Sequence, residues 1–122
     1  MTIRLVTSVA LVLVAGCGFP KAKLDEARGH VQQALEVWKK GGKPDELKSL
    51  PQPIEFHEAM WNAQEKLISF ELGAARYVHA TNVVRCDARL DVRSRKGKDR
   101  TETVVYDVTL DLPVKIVNNP MP

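Results

Sequence analysis

The sequence predicts an α+β domain in which one long N-terminal helix packs on a curled antiparallel sheet of about four strands. Two patterns carry that expectation. Between Ala22 and Lys40 the apolar residues Leu24, Ala27, Val31, Ala34, Leu35 and Trp38 recur at three- and four-residue steps, which lines them along one helix face. From Val84 to Val92 the residues Val84, Cys86, Ala88, Leu90 and Val92 alternate with Arg85, Asp87, Arg89 and Asp91, the period of a half-buried strand.

The elements follow in order. Gly41 and Gly42 stop the helix where a left-handed C-cap belongs, and Pro44-Asp45-Glu46 reads as the first turn of a short second helix that Pro51 and Pro53 end. His57 to Gln64, carrying Trp61, predicts one or two helical turns. Lys66 to Leu72 alternates as a strand whose inward set is Ile68, Phe70 and Leu72. The charged stretch Ser94 to Arg100, centred on Gly97, predicts a turn, and Glu102 to Leu112 returns with Val104, Tyr106, Val108 and Leu110 inward. The register expected for this hairpin sets Arg89 opposite Asp107 and Arg85 opposite Asp111, with Ala88 and Cys86 facing the larger Val108 and Leu110. Pro113 interrupts the ladder before a last strand, Val114 to Val117, and Asn118 onward is expected to fray.

With 122 residues, 44% apolar and 27% charged, the chain fits a single domain. The formal charge of +3 falls to +2 without Arg4, a surplus too small to imply a nucleic-acid partner.

The start of the chain carries an address. Arg4 precedes an apolar run from Leu5 to Val14, too short for a membrane span, which needs about 20 residues, but within the about 7 to 15 of a secretory leader. The run ends in Val14-Ala15-Gly16-Cys17, which resembles the bacterial lipobox. That resemblance implies signal cleavage between Gly16 and Cys17, with residues 1–16 removed, and a diacylglyceryl thioether on Cys17, usually with a further acyl chain such as palmitate. Two or three acyl chains hold a protein on a membrane essentially permanently. The expected address is therefore the cell membrane or outer membrane, reached by export, and the membrane itself is a partner through covalent lipid. Residues 17–21 form a tether reaching at most about 17 Å, which sets the domain, 22–122, close to the headgroups. Lys21, Lys23 and Arg28 fall in that zone, either as ordinary helix charge or in contact with anionic lipid.

The remaining motifs resemble those of small uncharacterised bacterial lipoproteins of planctomycete type. They are Ala34-Leu35 with Trp38-Lys39, Gly41 and Pro44; Trp61 with Leu67, Phe70 and Leu72; and Val104, Tyr106 and Val108. The resemblance implies a cystatin-like or NTF2-like helix-and-sheet layout and carries no activity or catalytic residue. This chain departs from the pattern at Gln64, where Gly is usual, and in lacking an Arg after the last strand.

No catalytic, metal or cofactor motif stands out. His30, His57 and His79 lack neighbouring ligands at metal spacing, and His57-Glu58 is not HExxH. Cys86 is read as a small buried hydrophobe rather than a reactive thiol. Glu65, Glu71, Asp107 and Tyr106 would serve as acid–base groups only if helix and sheet enclosed a cavity, and the strand parity of Glu71 and Asp107 points outward. The basic run Arg93, Arg95, Lys96, Lys98 and Arg100 marks a hairpin tip suited to an anionic surface or polymer, without the aromatics that single-stranded nucleic acid requires. The expectation is a non-enzymatic, lipid-anchored envelope protein that binds or props an envelope protein or polymer. The alternatives are a small NTF2-like ligand binder or enzyme, which requires an enclosed pocket, and an anionic-surface module acting through the 93–100 hairpin.

Overall fold

A computed structural model describes residues 19–120. Gly16, Cys17 and the leader lie outside the described residues. The order of elements is helix α1 (Lys21–Lys39), a 3-10 helix (Pro44–Ser49), β1 (Ile54–His57), a single turn α2 (Ala59–Asn62), β2 (Lys66–Val78), β3 (Val83–Arg93), β4 (Asp99–Thr109) and β5 (Val114–Asn118). The sheet runs β1-β5-β4-β3-β2, antiparallel except for the parallel pair β1 and β5. It is a five-stranded mixed sheet without strong curl, rather than the curled four-stranded one that the sequence predicts.

Helix α1 buries the stripe its spacing predicts, with Ala27, Val31, Ala34, Leu35 and Trp38 all in the core. It lies mainly across β2 and reaches β3 and β4. Its end is fixed by Gly41, whose φ of +85° is the left-handed conformation that glycine adopts without steric cost. Every core side chain described falls between Ala27 and Ile116, so residues 19–120 contain the whole of that core. An aromatic file crosses it. Trp38 stacks on Trp61 at 5.7 Å, and Phe56 meets Trp61 and Tyr106 edge-on at 5.7 and 5.3 Å. Both indole N–H groups donate to backbone carbonyls, Trp38 to Glu65 and Trp61 to Gly42.

Three expectations require correction. In β2 the buried residue is Leu67, 3% exposed, and Ile68 is 39% exposed. A bulge between Leu67 and Ser69 inserts one residue, so the parity changes there, and Phe70 and Leu72 face inward as expected. At a second bulge, between Leu72 and Ala75 of edge strand β2, Arg28 of α1 donates to the strand's backbone. Its Nε donates to the Gly73 carbonyl at 2.9 Å and its Nη2 to that of Leu72 at 3.2 Å. Arg28 is thus committed to the sheet edge.

The β3–β4 register is the second correction. Arg85 pairs with Asp107, not Asp111, and Arg89 faces Thr103. The slip is an even number of residues, so the buried set keeps its face, and small Cys86 and Ala88 still oppose larger Tyr106 and Val104. Magnitudes explain the choice. The shorter loop saves only a few tenths of a kcal/mol of closure entropy, roughly half of the ~0.6 kcal/mol for a doubling. Extending the ladder down to Arg93 and Asp99 adds backbone hydrogen bonds worth about 0.5 to 1.5 kcal/mol each. Within the tip, Ser94 N–H donates to Lys98 O and Gly97 N–H to Ser94 O, with Gly97 at φ +86°.

The C-terminal end is the third. Asn118 continues β5 opposite Tyr106, and the Asn119 N–H donates to Val105 O, so this stretch is tied to the sheet rather than frayed.

Candidate functional site

Among the described residues, one carboxylate is buried, and it belongs to no catalytic or metal motif of the sequence. Glu58, 1% exposed, sits between β1 and α2. Its Oε1 accepts from the Tyr106 hydroxyl at 2.6 Å and from Asn118 Nδ2 at 3.1 Å, and its Oε2 accepts from Met60 N–H at 3.1 Å. The side chain therefore caps α2 and ties it to β4 and β5. Burial, and then the Glu58 charge beside it, push the Tyr106 phenol far above its ordinary value. A phenol held neutral, with its proton committed to a carboxylate that three donors already occupy, offers neither an acid nor a base to a bound molecule. The hollows beside Glu58, about 440 and 470 Å³, lie open to solvent along Ala59, Asn118 and Pro120. The arrangement works as a clasp between elements. One signal for it is legible in the sequence, a Glu directly before a short helix with Phe56 and Trp61 close on either side.

The other proposed acid–base residues are not gathered around a cavity. Glu65 pairs with Arg100 at 2.7 Å, and Asp107 lies on the outer face against Arg85 at 2.8 Å. Glu71 is exposed opposite Arg89. That outer face is laced across strands: Asp91 accepts from Ser69 and Thr101, each at 2.7 Å, and these hydroxyls hold its carboxyl below the usual range. Arg76 reaches Asp87 at 3.2 Å. His30, His57 and His79 remain apart, and no group of three metal-ligating side chains occurs among the described residues. Cys86 is a free, buried thiol that desolvation pushes up to about 11.

The basic tip is divided by its pairings. Arg93 is held by Asp99 at 2.7 Å, and Arg100 by Glu65 and Glu102, both at 2.7 Å. Each pairing raises the guanidinium's affinity for its proton, chiefly through the hydrogen bond to the carboxylate. Arg95, Lys96 and Lys98 are exposed and form no ion pair among the described residues. Three of the five cations are thus available to a ligand. A shallow hollow of about 350 Å³ lies at their base, lined by Gln64, Lys66 and Arg93.

The start of α1 is at the other end of the sheet. Phe19 stacks on Tyr77, near the β2–β3 turn, whereas the end of α1 meets Glu65 next to the first residue of β2. The eleven residues of β3 separate the two ends by roughly 30 Å at about 3.3 Å per residue. Lys21 and Lys23, at the start of α1, pair with Asp25 and Glu26 at 3.4 and 3.6 Å.

No family model matches the chain, and neither the curated proteins nor the solved structures compared with it yield a match. The motif resemblance is supported to the extent of an α+β fold with an N-terminal helix and a five-stranded sheet. Among the described residues, no helix is long and apolar enough to cross a membrane.

Proposed function

We propose that this protein is an exported, lipid-anchored envelope protein, held at Cys17, whose domain is a non-enzymatic binding module displaying the Ser94–Lys98 tip away from the membrane. The observation that carries the reading is the opposition of the two ends. The chain leaves the domain toward Cys17 beside Tyr77, while the exposed cations Arg95, Lys96 and Lys98 stand at the far end of a continuous hairpin. A short tether at one end turns the other toward the envelope space. Such a tip suits an anionic polymer or an acidic protein surface, which it meets through screened, salt-sensitive attraction. The helix laid across a mainly antiparallel sheet supports the cystatin-like layout. An NTF2-like pocket needs a strongly curled sheet, and this layout does not favour it.

The anchor is tested first. The full chain and Cys17→Ser are expressed in a bacterium, and membrane partition is measured together with the intact mass of the mature protein. Membrane retention with a lipid mass increment, lost in the mutant, supports the reading. A soluble, unlipidated product from both refutes it. The tip is tested separately with the Arg95→Glu/Lys96→Glu double variant, which should abolish salt-sensitive binding to an anionic polymer such as a polyphosphate or teichoic acid. Unchanged binding removes the tip from the proposal.

A further inference from the structure

The end of the domain at Phe19, two residues from Cys17 in sequence, presents apolar side chains among a few polar ones, whereas the opposite end carries the cations without ion pairs. Phe19 and Tyr77 lie face to face, ring centroids 4.0 Å apart and planes within 5°. They border a groove of about 360 Å³ whose lining includes Val83, Leu110 and Asp111. The turn that follows carries Leu112, which at 74% exposure is far more open than the other exposed large hydrophobics, Ile68 at 39% and Val117 at 37%. Leu112 follows Leu110 and Asp111 of the groove's lining, so it adds an exposed apolar side chain to the same end.

An anionic small molecule is disfavoured, because Asp111 borders the groove and Lys21 and Lys23 are already paired with Asp25 and Glu26. A second copy of the chain would need roughly 800 Å² of matched surface per partner, more than a stacked ring pair and one leucine supply. A bilayer needs no matched surface. It also lies within reach, since two extended residues from Phe19 to Cys17 span about 7 Å. Leucine with aromatic rings, one of them bearing a hydroxyl, is the composition that enters the boundary between headgroups and acyl chains.

We infer that this end is a membrane-seating surface, in which Leu112 and the Phe19–Tyr77 pair enter the bilayer interface and hold the domain upright on its anchor. The inference rests on the anchored reading of Cys17. Seating fixes the direction in which the tip points, which a flexible tether alone does not. Because the side chains that enter the bilayer are apolar and Lys21 and Lys23 beside them are paired, the contact depends little on salt.

The test separates seating from acylation. The chain from Gly18 to Pro122, with an N-terminal hexahistidine tag, is held on phosphatidylethanolamine–phosphatidylglycerol vesicles doped with a nickel-chelating lipid, so attachment does not depend on whether a cell acylates Cys17. Leu112→Cys and Lys96→Cys are each labelled with bimane, to which the buried Cys86 presents no exposed thiol. Lipids bearing a nitroxide near the headgroup boundary should quench the label at 112 several-fold more than the label at 96, equally at low and high salt. Adding Phe19→Ser to Leu112→Cys should lower the quenching at 112. Equal quenching at both positions overturns the inference, as does an unchanged signal with Phe19→Ser. Greater quenching at 96 also overturns it and makes the basic tip the lipid contact.

Discussion

Replacing Tyr106 by Phe removes one oxygen from the interior, and its cost follows from what that oxygen touches. Tyr106 is fully buried, and its hydroxyl donates at 2.6 Å to Glu58, itself 1% exposed. A hydrogen bond to a charged group contributes about 1.5 to 3 kcal/mol net. At the ~4 to 8 °C per kcal/mol of a domain this size, a loss near 2 kcal/mol lowers the melting temperature by roughly 8 to 16 °C. Glu58→Ala is worse, because it strands the Tyr106 hydroxyl, the Asn118 amide and the Met60 N–H together, a loss of about 3 to 5 kcal/mol. In the double variant the stranded hydroxyl is gone, so the two losses should fall short of additivity by about 1 to 3 kcal/mol. Urea unfolding read by Trp38 and Trp61 fluorescence measures all four proteins. The alkaline limb supplies an independent check. The folded phenol is raised above its unfolded value of 10.0, so the stability it contributes is complete below that pH and is lost as pH rises beyond it. Tyr106→Phe should flatten that decline. Strict additivity in the cycle, with an unchanged alkaline limb, would refute the clasp.

Three further outcomes follow from packing and charge. Leu67→Ala should cost about 2 to 4 kcal/mol in urea unfolding and Ile68→Ala under about 1 kcal/mol, and equal losses would remove the bulge from the account. Cys86 should resist a thiol reagent at neutral pH in the folded chain and react at once in urea, since burial holds its thiol at about 11; prompt labelling of the native protein would show that it is accessible. The Ser69→Ala/Thr101→Ala double variant should move the Asp91 carboxyl back up toward its ordinary value of 3.8 in an NMR titration. Because the folded carboxyl is lowered, its contribution is present above the unfolded value and lost as pH falls through the folded one. The variant should therefore show a shallower acid limb, and an unmoved titration would mean that the hydroxyls do not hold it.

What the sequence made legible was parity and period, because both follow from which side chains leave water. The α1 stripe and the inward sets of β3 and β4 are set by burial, and they match the structure except that Leu24 and Leu110 are only partly buried and His30 joins the buried face of α1. Register was not legible. Two pairings four residues apart bury the same side chains, so alternation cannot separate them, and the choice falls to the ladder bonds and the Arg93–Asp99 pair near the turn. The Leu67 bulge was hidden for a related reason: Leu67 and Ile68 are both apolar, and only the pairing with Val92 shows which is inside. β1 escaped notice because four residues are too few to display a period, and its partner, β5, lies sixty residues downstream. In the sequence Glu58 stands out only beside His57, as an incomplete metal motif, because its real partners, Tyr106 and Asn118, are remote along the chain.

The placement of polar groups bears on the proposed role as a stand-off module. A domain that holds a tip roughly 30 Å from its anchor must resist bending along β3 and β4, because a hairpin free to fold over would return the cations to the membrane. Bending requires strands to shear, and here shear is opposed on both faces. On the inner face, Val84, Cys86, Ala88, Leu90 and Val92 are locked under α1 and its neighbours. On the outer face, the Ser69–Asp91–Thr101 bridge and the Arg76–Asp87 and Arg85–Asp107 pairs join β2, β3 and β4 at successive levels. Exposed pairs of this kind add little to global stability. Their geometry nevertheless fixes register, since each is broken by a slip of one strand past the next. The outer face is thus better understood as a brace on the hairpin than as a binding surface, whereas Arg95, Lys96 and Lys98, which form no ion pair among the described residues, stand together at the end where a partner would first be met.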